Sequence, residues 1–185
     1  MLRLPAAAPV YDALIESCSE LTECADALDA EVWLTQVWDE LLTKTPATTR
    51  LDLLMLDLVD EAERAATAGC LVLLHTMAVL DVRGSGVAAR AAAQRLTARR
   101  GDQPDAVPWL NRLGAVSLAE CHRFTDVFGE QVALVCEFEY SEQTRRHAVL
   151  VALDLTNRGA LSAIELTVTP ASLSDALRRL TKFGA

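Results

Sequence analysis

The spacing of apolar residues changes period near residue 116, and that change constrains the fold more than any other feature of the chain. Before it, apolar residues recur at intervals of three and four, as on one face of a helix. After it, QVALVCEFEY (131–140) alternates, with Val132, Leu134, Cys136, Phe138 and Tyr140 on one side, as in a strand. Helices followed by strands, without βαβ alternation, point to α+β. The expected architecture is an N-terminal helical portion (1–115), then an antiparallel sheet of about four strands and a C-terminal helix (116–185), packed as one compact unit.

Within the helical portion, residues 10–21 read as a short amphipathic helix. A second follows Asp29 as cap, with Trp33, Leu34, Val37, Trp38, Leu41 and Leu42 in two adjacent stripes, a width that implies more than one packing neighbour. After a loop at 43–49, Thr48 or Thr49 opens LDLLMLDLVDEAERA, in which Asp60 and Arg64 have helical i, i+4 spacing. Residues 70–80 are apolar nearly all round, the signature of a central helix, and VAARAAAQRLTARR after Gly86 has high helix propensity. A connector at 101–108 leads to at most a short helix at 109–113.

In the sheet portion, joining 131–140 to RHAVLVALDL through residues 141–144 makes an antiparallel hairpin. Placing Tyr140 against Arg145 sets Glu139 opposite Arg146, Phe138 opposite His147 and Cys136 opposite Val149, so both larger apolar sets share one firmly buried face, in this register or in one two residues away. Residues 123–128 and 161–168 supply two more strands, with Asn157-Arg158-Gly159 as the turn before the last. Ser172 or Ser174 caps the closing helix, whose Leu173, Leu177 and Leu180 face inward. The other face of the hairpin carries Ala133, Val135, Ala148, Leu150 and Ala152, too apolar for a wet surface. Either the helices cover it or a second copy does, in a homodimer through Val135 and Leu150.

The segment FTDVFGEQVALVCEFEY, followed by RRHAVLVALD, an Asn-Arg-Gly turn and SLSDALRRL, resembles uncharacterised proteins of high-GC actinobacteria that have a helical N-terminal part. Fifteen Arg against two Lys fit such a source. The resemblance spans roughly the last 70 residues and implies a shared fold, with no activity and no catalytic residue to carry over.

Charge is polarised along the chain. From Asp12 to Glu63 there are fourteen acids against Lys44 and Arg50, a net −12, whereas the rest of the molecule is +3. Arg83, Arg90, Arg95, Arg99 and Arg100 lie in a stretch free of acids. A formal net charge of −9 opposes phosphate binding, so nucleic acid is not the expected ligand. The uncharged run 65–80 falls short of the ~20 residues that span a bilayer, and the N-terminus lacks a cationic secretory pattern. A cytoplasmic protein without a membrane partner is expected.

The five cysteines are odd in number and have no CxxC spacing, which predicts reduced thiols acting as small core residues, with no structural metal. Cys121, His122, Cys136 and His147 can meet in the sheet, but neighbours on a strand point to opposite faces, so Cys121 and His122 cannot both ligate one ion. Asp126, Glu130, Glu137, Glu139 and Asp154 could hold a cation or do acid–base work if clustered. Glu137 and Glu139 suit a charged face with Arg146, and Asp126 and Asp154 suit turns. Arg83-Gly84-Ser85-Gly86, with Arg90 one turn on, could cradle an anion through Ser85 and Arg90 but matches no phosphate-loop motif. His75 and the Trp33/Trp38 pair read as core.

These readings lead to a non-catalytic protein-interaction or regulatory module that needs no cofactor. It would dock a basic partner through Asp39, Glu40, Asp57, Asp60 and Glu61 on an acidic helical surface. The alternative is a small, hydrolase-like enzyme with an acidic or Cys/His site on the sheet.

Overall fold

The computed structural model describes residues 8–44, 51–80, 84–101, 107–140, 146–156, 160–167 and Arg178. It is α+β, with the helices first and the antiparallel sheet last, and it divides into two compact units, Met1–Gly114 and Ala115–Ala185. The described helices are α1 (Ala8–Glu23), α2 (Ala27–Lys44), α3 (Leu51–Ala65), α4 (Ala68–Leu80) and α5 (Gly86–Arg100), followed by a 3-10 turn at Leu110–Arg112. The strands are β1 (Val116–Thr125), β2 (Gln131–Tyr140), β3 (Arg146–Asp154) and β4 (Ala160–Thr167), in an antiparallel meander of order β1-β2-β3-β4. The expected C-terminal helix, the Asn-Arg-Gly turn and the cap at Thr48 or Thr49 lie outside the described residues, Arg178 apart.

The helical unit is organised around α4. Its residues from Gly69 to Leu74, with Thr76, Met77 and Ala78, are buried, and it packs against α1, α3 and α5. The exposed Thr67 hydroxyl caps α4 by accepting from Cys70 N at 3.1 Å, and the buried Thr76 hydroxyl donates to Val72 O at 2.9 Å, so it is not stranded in the apolar interior. Helix α1 turns Tyr11, Leu14, Cys18 and Leu21 inward, at spacings of three and four. The cap of α2 is Asp26, whose Oδ1 accepts from Asp29 N at 2.9 Å. Asp29, expected in that role, sits in the first turn, where its charge suits the helix dipole. Arg64 pairs with Glu61 and not with Asp60 as its spacing suggested, because i, i+3 is an equally close neighbour on a helix.

In the sheet unit, the β2–β3 register has Glu139 opposite Arg146, Phe138 opposite His147 and Cys136 opposite Val149, one of the two registers that a shared apolar face allowed. Burial departs from the alternation. Leu134, Cys136 and Phe138, expected on the firmly buried face, are only half-buried, while Val135, Ala148 and Leu150 on the other face form a buried cluster with Phe124 and Ala152 packed against it. Period two says which residues share a face; what packs on each face decides its burial. Strand β1 starts seven residues before the expected 123, and residues 126–129 form a turn closed by Gly129 N to Asp126 O at 3.1 Å.

The close approach of α1 and α4 depends on Gly69. A Cβ there would meet Cys18 O at 2.4 Å, Cys18 C at 2.6 Å and Ser19 N at 2.9 Å, all backbone atoms that cannot step aside. An exposed helical Gly→Ala change stabilises by about 1 kcal/mol. Gly69→Ala is expected to do the reverse and lower the melting temperature, at an overpacking cost of ~1–3 kcal/mol, measurable by thermal denaturation followed by circular dichroism.

Candidate functional site

The chemistry-bearing side chains of the sheet gather on the β1–β2 strand pair, and a single irregularity brings them together. From Val116↔Tyr140 to Leu118↔Phe138 the register is regular; between Leu118 and Glu120 it shifts by one residue, and from Glu120↔Glu137 onward it is regular again. Ala119 is the extra residue of this β-bulge. Without it Cys121 would face Val135 and Glu120 would face Cys136. With it Cys121 lies directly opposite Cys136, and Glu120 directly opposite Glu137.

Two clusters result, one on each face. On the first, Cys121 Sγ lies 3.0 Å from Cys136 Sγ, with Cys121 exposed and Cys136 half-buried. The hydrogen bond with Cys121, together with burial, pushes the Cys136 thiol above its ordinary value. On the second, Glu120, His122 and Glu137 each present a ligand atom within 4.8 Å of the others, and His122 Nε2 is 3.4 Å from Glu120 Oε1. Two carboxylates directly opposite one another repel, and the imidazole beside them supplies the only compensating group of this trio.

The remaining polar residues of the sheet take structural roles. Glu139 pairs with Arg146 at 3.2 Å. Asp126 Oδ1 accepts from Glu130 N and Gln131 N at 2.7 and 3.0 Å, and Asp154 Oδ1 accepts from Thr156 N and Oγ1 at 3.0 and 2.6 Å, which are turn bonds. His147 stacks on Phe138, with centroids 5.5 Å apart. Val135 is 0% and Leu150 8% exposed; they are buried with Ala148 in a cluster against which Phe124 and Ala152 pack.

In the helical unit the expected acidic face on α3 does not form. Asp57 is 5% and Glu61 9% exposed, and Asp60 is half-buried. Asp39 and Glu40 on α2 are exposed, with Glu40 paired to Lys44. Three arginines of α5, Arg95, Arg99 and Arg100, turn toward α3. Arg95 Nε and Nη2 grip the two carboxylate oxygens of Glu63 at 2.9 and 2.5 Å, and Arg99 Nη2 adds a bond of 3.1 Å. Arg100 donates to Ala66 O, at the end of α3. The anion cradle also fails to assemble: Ser85 is buried at the start of α5 without making a side-chain cap bond, and Arg90 Nη2 reaches back to Ala78 O at 3.2 Å in the last turn of α4. Cys18 and Cys70 form a second thiol pair, fully buried; the hydrogen bond to Cys70 and burial hold the Cys18 thiol well above its ordinary value.

Sequence reasoning did not consider Glu120, because the strand was expected to begin after it. The available signal was Glu-x-His at 120 and 122, an i, i+2 pair that shares a face on any strand. It also missed the acids of α1. Asp12, Glu16, Glu20 and Glu23 fall at spacings of four, four and three, and all are exposed. Comparison with known proteins finds no match to a protein-family model, a curated protein or a solved structure, so the site must be read from the chain's own residues.

The Glu63 clamp makes a pH-dependent contribution to stability. The hydrogen bond from Arg95, with the charges of Arg95 and Arg99, holds the Glu63 carboxyl below its ordinary 4.5. A depressed folded-state value means stabilisation that is full above 4.5 and lost as pH falls through the folded value. Glu63→Gln is therefore expected to be less stable than wild type at pH 7, with the gap closing toward pH ~3, as read by urea denaturation at both pH values.

Proposed function

We propose that the protein is a protein-interaction module that docks a basic partner through the acidic surface of α1, with Asp39 and Glu40 on α2 as further exposed acids. The observation that carries this reading is the α1 stripe. Like charges at i, i+4 destabilise a helix by ~0.2–0.5 kcal/mol per pair. Acids near a C-terminal end oppose the helix dipole. Helix α1 does both: Glu20 and Glu23 lie in its last turn, and it contains no basic residue. Arg95 and Arg99 of α5 are held by Glu63. Acids that work against their own helix are accounted for by a cationic partner, which would relieve the repulsion on binding.

The test replaces Glu16, Glu20 and Glu23 with Gln. The glutamine at 20 keeps an acceptor for Trp33 Nε1, which donates to Glu20 Oε2 at 3.2 Å. The triple variant is expected to melt at or slightly above the wild-type temperature, yet to lose binding of a labelled polyarginine peptide in fluorescence anisotropy. Wild-type binding should weaken as salt rises. A control variant with Glu120, Glu130 and Glu137 neutralised has the same net charge and should retain binding. Equal loss in both variants would reduce the effect to overall charge and remove the reading.

A second reading is favoured by the Glu120, His122 and Glu137 trio: a divalent cation held on the sheet, with open positions for water, as in a metal-assisted hydrolase. In a tetrahedral site, atoms each ~2.1 Å from the ion lie ~3.4 Å apart, the separation His122 Nε2 and Glu120 Oε1 already have, and the Glu137 carboxylate would close on them by up to ~1.4 Å. Two carboxylates with one imidazole suit Zn2+ or Mn2+. Isothermal titration with Zn2+ is expected to show one site per chain, weakened at least tenfold by Glu137→Gln. Undiminished binding in that variant would exclude the site.

A further inference from the structure

We propose that Cys121 and Cys136 are a redox-active dithiol, oxidised to an intramolecular disulfide by a low-molecular-weight disulfide of the glutathione type. The pair is opposed in register, and its sulfurs are 3.0 Å apart, about 1 Å beyond the roughly 2.05 Å of the bond. Directly opposite residues of an antiparallel pair have Cα atoms ~4.5–5.5 Å apart, inside the ~4.4–6.8 Å window that a disulfide requires. The two strands therefore need no rearrangement to be joined.

Access gives the two sulfurs different tasks. Cys121 is exposed on β1, an edge strand of the sheet, where a small disulfide can reach it. Its thiolate attacks one sulfur of that disulfide, forming a mixed disulfide and expelling one small thiolate. Cys136, half-buried one strand inward, is already beside the Cys121 sulfur. Having lost its proton, it attacks that sulfur and expels the second small thiol. Two protein thiols are oxidised to one disulfide, one small disulfide is reduced to two thiols, and the two protons pass to the released thiolates.

The other cysteines provide an internal comparison. Cys18 and Cys70 also lie together, but both are 0% exposed in the helical unit, so a small disulfide has no path to either sulfur without unfolding. The arrangement at β1–β2 is owed to the bulge at Ala119, since a regular ladder would have set Cys121 against Val135. Bulges of this kind are enriched at sheet edges and beside reactive sites.

The test treats the full-length wild-type protein with oxidised glutathione, blocks the remaining thiols under denaturing conditions and maps every cysteine by mass spectrometry. The expected product is a Cys121–Cys136 disulfide, with Cys18, Cys24 and Cys70 recovered as blocked thiols. Before oxidation, Cys121 is expected to alkylate at least tenfold faster than Cys18 or Cys70. Cys136→Ser should stop at the glutathione adduct of Cys121, and Cys136→Ala serves in its place if the serine variant fails to fold. A disulfide between any other pair, a bridge between two chains, a persistent glutathione adduct in wild type, or five thiols left unoxidised would each overturn the proposal.

Discussion

The register of β1 on β2 is the constraint on which the chemistry of the sheet depends. One extra residue, Ala119, shifts the ladder by one position, and every side chain from Glu120 to Thr125 acquires a different partner. The same shift assembles a dithiol on one face and a carboxylate–imidazole trio on the other. Strand alternation guarantees that the two clusters stay apart, since Cys121 and its neighbours Glu120 and His122 point in opposite directions. Two sites of different chemistry thus share one backbone irregularity.

The helical unit rests on a different constraint, the absence of a side chain at Gly69. That position lets α1 come close enough to α4 for backbone to meet backbone, and it is there that Cys18 and Cys70 pair. Around this contact the charges separate by function. Glu63 is held between two arginines and Arg100 reaches the end of α3, so α5 is bound electrostatically to α3. Helix α1 carries exposed acids at Asp12, Glu16, Glu20 and Glu23 and no basic residue of its own. Most of the segment's negative charge was visible as composition, but its division into paired and exposed acids is a property of helix packing.

Much of the fold was legible because periodicity is a local property. The positions of α4 and α5, the central burial of α4, and the β2–β3 register to within a shift of two residues followed from the spacing of apolar residues and from the need for them to share a face. Errors fell where two local signals competed. Asp26 and Asp29 are both good caps three residues apart, and Arg64 has acidic neighbours at both i−3 and i−4. The start of β1 was placed too late because VSLAECHR has no clean alternation, and the bulge within it is the reason.

The sequence alone determined the order of helices and strands, the polarity of charge along the chain and which residues share a strand face, because each depends on residues a few positions apart. Only the tertiary structure decided that Asp57 and Glu61 turn inward, that Val135 and Leu150 are buried, and that Cys121 meets Cys136 across fifteen positions of sequence. The physical reason is common to all three. Burial and cross-strand partnership are set by what another segment brings to a face, and a shift of one residue in that segment replaces every contact while leaving the local pattern unchanged.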